Sequence, residues 1–246
     1  MTPGARASAA IEVLTDIETR KRPASEALKD WGLNHRFAGS GDRAAIGNLV
    51  FDALRTRASS AFAMGEDSAR SILLRTLVTG WGQTKQQVAA LADGSRFAPA
   101  PLTEAELQGL TRELPADVPA HIRGDYSEWL DSLMRQAFGD RAAEEGAALA
   151  RRAPVDLRTN TLKATREKLL KALDRFKPTA TPHSPLGVRI AHAPGPGRSP
   201  HVEAEAAHGK GWFEVQDEGS QVATLLAGAK PKQQIIDLCA GAGGKT

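Results

Sequence analysis

"GWFEVQDEGSQVATLLAGAKPKQQIIDLCAGAGGKT", Gly211–Thr246, carries the strongest local pattern in this 246-residue chain. "GKGWFEV", from Gly209, reads as a strand, and "QDEGSQVATLLAGA" as a helix opened by Asp217 and Glu218 and ended near Gly228. "QQIIDLC", Gln233–Cys239, reads as a buried strand that runs straight into Gly241, Gly243 and Gly244. A strand that ends in glycines brings backbone N–H groups close to a ligand at the carboxyl edge of a parallel sheet.

Three templates compete for that turn. A phosphate-cradling G-x-x-x-x-G-K-[ST] loop needs a glycine five places before Gly244, where Cys239 stands. A dinucleotide G-x-G-x-x-G begun at Gly241 and Gly243 needs its last glycine at Thr246. The third template fits: Asp237 near the strand end, then the small residues Ala240, Gly241, Ala242, Gly243 and Gly244. Class I methyltransferases use absent side chains in this way to admit the methionine part of S-adenosylmethionine.

With these residues in view, the segment resembles the entry to the catalytic domain of the RsmB/NOP2/Sun family of RNA cytosine-C5 methyltransferases. Gln216, Asp217 and Ser220 match the family's Q-D-x-x-S. Asp237, Cys239, Ala240, Gly243, Gly244, Lys245 and Thr246 match D-x-C-A-A-P-G-G-K-T. The departure is Gly241-Ala242 in place of Ala-Pro, which makes the turn less rigid without filling it. "LRTNTLKATREKLLKAL", Leu157–Leu173, is similar to the family's small α/β unit, and "DRAAIGNLVFDALR", Asp42–Arg55, to the NusB-like helical domain of some bacterial members.

The resemblance implies a mixed fold. Residues 1–150 would form an all-α NusB-like RNA-binding domain, 151–208 a small α/β unit, and 209–246 the incomplete beginning of a Rossmann-like class I methyltransferase core. S-adenosylmethionine would lie against Cys239, Ala240, Gly241, Ala242, Gly243, Gly244 and Lys245, and the substrate would be RNA, by resemblance ribosomal RNA. Methylating C5 of a pyrimidine requires a thiolate to add at C6. In the family, one cysteine attacks and a second helps release product, both well beyond the glycine turn. Cys239 is the sole cysteine and belongs by motif to the cofactor turn, so no catalytic residue is assigned and the nucleophile is expected beyond Thr246. The chain therefore reads as a fragment that alone does not methylate RNA. Two rival readings remain: a non-catalytic NusB-like RNA-binding or assembly module, and a nucleotide triphosphatase using Gly244-Lys245-Thr246.

Working outward, the first ~150 residues read as helical on apolar spacing. Ala10, Ile11, Leu14 and Ile17 form one stripe, and Ile46, Leu49, Val50, Ala53 and Leu54 another, capped by Ser40–Asp42. Thr103 and Glu106 have capping-box spacing. "SEWLDSLMRQAF" puts Trp129, Leu130, Leu133, Met134 and Phe138 on one side of a helix. Ala92–Glu104, rich in Gly, Pro and Ser, reads as a linker or long loop. After Arg152 strands alternate with helices: "PVDLRTNTL", a helix burying Leu169, Leu170, Leu173 and Phe176, then "GVRIAH". "APGPGRSP", Ala193–Pro200, is a loop.

The net charge of +3 permits a nucleic-acid partner without demanding one. Lys163, Arg166, Lys168, Lys171 and Arg175 make a basic helix face, with Arg151 and Arg152 nearby. Its plain reading is a solvated surface, and its functional reading is contact with RNA phosphates, for which Arg152, Lys163, Arg166, Lys168 and Lys171 are the candidates. The "ETRKR" cluster at Glu18–Arg22 is a weaker one. His201 and His208 lack a carboxylate at ligand spacing, so no metal is expected. Trp31, Trp81, Trp129 and Trp212 read as packing residues. A lone cysteine, and the lack of an apolar run of membrane-spanning length or a secretory h-region, give the expectation of a cytoplasmic monomer away from membranes.

Overall fold

The computed structural model describes residues 1–192, 195–197 and 200–245. The chain divides into two compact units, one built on Met1–Arg152 and one beginning at Ala153.

The first unit is helical. Its elements are α1 (Pro3–Arg20), α2 (Ala24–Asn34), α3 (Ser40–Arg55), α4 (Arg57–Met64), α5 (Ala69–Thr79), α6 (Lys85–Leu91), α7 (Glu104–Gly109), α8 (Ala120–Arg123), α9 (Asp131–Phe138) and α10 (Ala142–Ala150). Thr2 opens α1 by accepting from the Ala5 N–H, and Pro3 follows where a missing N–H costs nothing. Ala10, Val13 and Leu14 of α1 are buried with Ile46, Leu49 and Val50 of α3 and Ile72, Leu73 and Leu77 of α5. Each fully buried Leu or Ile contributes about 1.5–3 kcal/mol, and Leu73→Ala would cost about 2–5 kcal/mol.

Capping matches the sequence reading at α7 and falls one residue earlier than Ser40–Asp42 at α3. Gly39 holds the cap position of α3, and Asp42 reaches back to its N–H at 3.3 Å while also binding the Met1 amine and Arg6. Thr103 and Glu106 form the expected capping box on α7, and Glu106 also takes Arg70 at 2.6 Å. The Ala92–Glu104 stretch is a loop inside this unit rather than a linker. Gly94, at φ +72°, donates to the Pro99 carbonyl, and Ala98 lies beside Gly4 of α1.

One helical expectation fails. None of α9 is buried, and Trp129, just before it, is 74% exposed, with Leu133 and Phe138 also exposed. Periodicity reports an apolar face; burial also needs an element to cover it, and none among the described residues does.

The second unit comprises β1 (Val155–Thr159), α11 (Arg166–Ala172), β2 (Thr179–Ala180), β3 (Gly187–Ile190), α12 (Ala206–Gly209), β4 (Phe213–Val215) and α13 (Glu218–Leu226). The four strands make one antiparallel sheet in the order β2-β3-β1-β4. Leu157, Val188, Ile190 and Phe213 from the sheet meet Leu169 and Leu173, from α11 and its end, in a hydrophobic core. Thr165 caps α11 by accepting from the Lys168 N–H. β4 pairs with β1, so the residues after 208 complete the sheet of the α/β unit itself.

The described part of the Ala193–Pro200 loop has neither helix nor strand; residues 193, 194, 198 and 199 lie outside the described residues. The buried strand expected at Gln233–Cys239 is not formed: the segment is irregular, with Ile236 78% and Leu238 90% exposed. An apolar strand of this kind is stable only between neighbours, and none of the described strands pairs with it. No described helix is long and apolar enough to cross a membrane.

Candidate functional site

The corner between β1, β3 and α13 is organised by charge. Asp156 and Arg189 are register partners on adjacent antiparallel strands and pair through two short bonds, Nε to Oδ1 at 2.7 Å and Nη2 to Oδ2 at 2.6 Å. Asp156 Oδ2 also accepts from the Glu218 N–H at 3.1 Å, so a strand carboxylate satisfies a donor at the start of α13. Glu218 turns its own side chain to the 183–184 loop, where Oε1 accepts from the N–H groups of His183 (2.6 Å) and Ser184 (2.9 Å). Burial pushes the Glu218 carboxyl up, but those two N–H groups, the Thr181 hydroxyl and Arg189 outweigh it and hold it below the usual range. Asp217 caps α13 by accepting from the Ser220 N–H at 3.0 Å, and its carboxyl is lowered chiefly by that bond. Asp217 and Ser220 thus open the helix, as the sequence suggests.

A cavity of about 410 Å3 opens beside Asp156, His183, Arg189, Asp217 and Glu218. Both carboxylates of the Asp156–Arg189–Glu218 set are bonded to backbone donors and hold the start of α13 and the 183–184 loop in place. Sequence reasoning missed Asp156, Arg189 and Gln221. Only the i-to-partner spacing of opposite charges on two strands could have found the first two, and that requires knowing the register.

Gln216 links this corner to the glycine turn. Its N–H donates to the Asp156 carbonyl at 3.0 Å, its carbonyl accepts from Gln221 Nε2 at 2.8 Å, and its own Nε2 donates to the Gly244 carbonyl. Ser184 Oγ donates to Gln221 Oε1 at 2.7 Å. In the turn, Cys239 N donates to Asp237 Oδ1 at 3.1 Å and Gly243 N to the Ala240 carbonyl at 2.9 Å. Gly241 and Gly243 stand at φ +55° and +81°, where side-chain-bearing residues are strained. A Cβ at Gly243 or Gly244 would meet no atom within 4 Å, so ligand atoms have room beside both. Cys239, Ala240, Ala242 and Lys245 are exposed with them. Thr246 lies outside the described residues. The turn leaves its backbone open, and the seven cofactor candidates are all exposed.

The basic candidates separate. Arg152 is held by Asp52, Nε to Oδ1 at 3.1 Å and Nη2 to Oδ2 at 2.6 Å, with its side chain 15% exposed, so its charge is engaged by a carboxylate. Arg166 leans on the Ser184 carbonyl, and Arg175 pairs with Glu205. Lys171 is exposed on α11. Lys168 sets its ammonium 4.1 Å from the centre of the Trp212 ring, Lys210 approaches the same ring at 5.1 Å, and Lys163 lies against Gly211. In the "ETRKR" cluster, Arg20 and Arg22 pair with Asp16, and Arg22 also with Asp30. Trp31 and Trp81 use their indole N–H on Glu12 and Asp52.

Residues 126–195 match the profile of the RsmF/B-like methyltransferase ferredoxin-like domain. Among curated proteins, the chain is 30% identical over 124 residues to a probable ribosomal RNA small subunit methyltransferase B of Synechocystis sp., covering 49% of this chain and 27% of that one. It is 28% identical over 169 residues to the ribosomal RNA small subunit methyltransferase B of Sodalis glossinidius, covering 65% and 38%. The chain thus spans well under half the length of these relatives. Among solved structures, that titled "Crystal Structure of PH0851" superposes with a TM-score of 0.57 at 17% identity, over 100% of this chain and 60% of that one, which is a likeness of fold.

Proposed function

The chain belongs to the RsmB/NOP2/Sun family, and from that premise we propose that it is part of an S-adenosylmethionine-dependent RNA cytosine-C5 methyltransferase acting on ribosomal RNA. The helical unit is read as a NusB-like RNA-binding domain, and the segment around the glycine turn as the first part of a Rossmann-like core.

The observation that carries the reading is the turn itself: left-handed Gly241 and Gly243, with open space beside Gly243 and Gly244, following the family's Q-D-x-x-S sequence. Bound S-adenosylmethionine supplies an electrophilic methyl group. Gly241, Gly243 and Gly244 leave the backbone bare for its methionine part, and Gln216 restrains the Gly244 carbonyl. Cys239 sits within the turn and is assigned to it, not to attack on the pyrimidine. The 246 residues by themselves are accordingly expected to transfer no methyl group to RNA.

Calorimetry tests the assignment with a version of the protein extended to the length of its relatives. Binding of S-adenosylmethionine that Gly243→Val removes supports it. Heat with a nucleoside triphosphate and none with S-adenosylmethionine would overturn it.

A further inference from the structure

We propose that Lys168 and Lys210 at the Trp212 ring, with Lys163 beside the adjoining Gly211, form a corner that binds the phosphate backbone of RNA, an inference that rests on the RNA reading above and names where this unit makes contact. The corner joins three separate pieces of chain. Lys163 lies in the turn after β1, Lys168 sits in the first turn of α11, and Lys210 closes α12. Asn160 ties the first and third together: its N–H donates to the Trp212 carbonyl at 2.8 Å and its Nδ2 to the Gly211 carbonyl at 3.0 Å. The ammonium of Lys163 lies where a Cβ on Gly211 would come within 2.7 Å of it, so glycine at 211, also at φ +69°, makes space for the lysine.

Charge makes the corner a binding surface. Among the described residues, none of the three ammoniums has a carboxylate within 4.0 Å, whereas Arg152, Arg175 and Arg189 are all paired. Like charges repel, and here the half-buried Trp212 ring brings two of them together, attracting Lys168 and Lys210 through its face. Two compact ammoniums on one ring and a third beside the neighbouring residue suit the phosphates of a polyanion, and they recognise charge rather than base sequence. Lys210 and Trp212 were not among the basic candidates in the sequence, since they lie some 40 residues from α11 and only the pairing of β4 with β1 brings them there.

The test is RNA binding by the full chain as a function of salt, read by fluorescence anisotropy with a labelled structured RNA. The variant K163A/K168A/K210A is compared with K29A/K85A/K230A, which removes equal charge elsewhere. The expected result is a salt slope reduced by about 2–3 in the first variant and by less than about 1 in the second, with affinity at least about tenfold weaker at moderate salt in the first alone. Replacing the three lysines by arginine retains the slope. Equal losses in the two alanine variants, or none in the first, overturn the corner while leaving RNA binding intact. Absence of binding by the unsubstituted chain overturns the RNA reading of this chain and the corner with it. Loss of polyglutamate binding without loss of RNA binding overturns the corner in favour of an acidic protein partner.

Discussion

Asp156 and Arg189 face each other across β1 and β3 with one partner hidden and the other open: the aspartate side chain is 4% exposed and the arginine 34%. The asymmetry sets the energetics. A buried carboxylate that loses its cation is left with a desolvation cost, while an open guanidinium that loses its carboxylate returns to water. Arg189→Ala should therefore destabilise the chain by about 2–4 kcal/mol, and the double variant Asp156→Asn/Arg189→Ala should recover part of that loss. Urea unfolding in a double-mutant cycle measures it. An additive cycle would mean the pair is not coupled.

Acid sensitivity follows from the same corner. Glu218 and Asp217 are both lowered in the folded chain, from usual values of 4.5 and 3.8. A depressed carboxyl binds fewer protons folded than unfolded, so its contribution is complete above the unfolded value and is lost as pH falls through the folded one. Glu218→Gln should thus lower the urea midpoint at pH 7, and the gap from the unsubstituted chain should narrow below about pH 4.5. A gap that stays constant from pH 7 to pH 3 would assign the effect to packing instead.

A long-range pair closes the helical unit. Asp52 of α3 binds Arg152 through both carboxylate oxygens and also accepts from Trp81 Nε1 at 2.9 Å. Asp52→Ala removes the acceptor from both groups and should cost about 2–3 kcal/mol, visible as a lower urea midpoint. Trp81 offers a second readout, since its indole N–H loses its acceptor and its fluorescence should shift. Arg152→Ala should weaken folding similarly without changing the salt slope of RNA binding.

How far these relationships could be read beforehand depended on their range. The cap at Asp217, the Thr103–Glu106 box and the leucines of α11 are local patterns, with cause and effect within four residues, and the structure has them where the sequence puts them. Arg152 looked like a free cation because its partner lies a hundred positions away, and nothing in the spacing betrays Asp52. Trp129, Leu133 and Ile236 show the opposite limit. Their periodicity or apolar run is real, but burial is a property of two surfaces and the sequence displays one. The glycine turn lies between these cases, because left-handed geometry at Gly241 and Gly243 is a local consequence of residue type.

The chain's single tyrosine gives a test with an unambiguous signal. Tyr126 packs between the end of α8 and α10: a Cβ at Gly146 would come within 2.5 Å of its ring and 2.7 Å of the Gly124 carbonyl. Its hydroxyl donates to Asp131 Oδ1 at 2.7 Å. Burial, then the bond to Asp131, push the phenol up to about 12 from 10.0. Absorbance at ~295 nm should show one ionisation, displaced above the ~10 of a free phenol, and Asp131→Asn should bring it down. A raised folded value contributes stability that is whole below the unfolded value, so that contribution wanes as pH climbs from about 10 through about 12. Alkaline unfolding in that window should be eased relative to Tyr126→Phe, which has no proton to lose. Ionisation near 10 with the helices intact would mean that the phenol is open to water. Gly146→Ala, whose Cβ would crowd both the ring and the Gly124 carbonyl, should cost ~1–3 kcal/mol in urea unfolding.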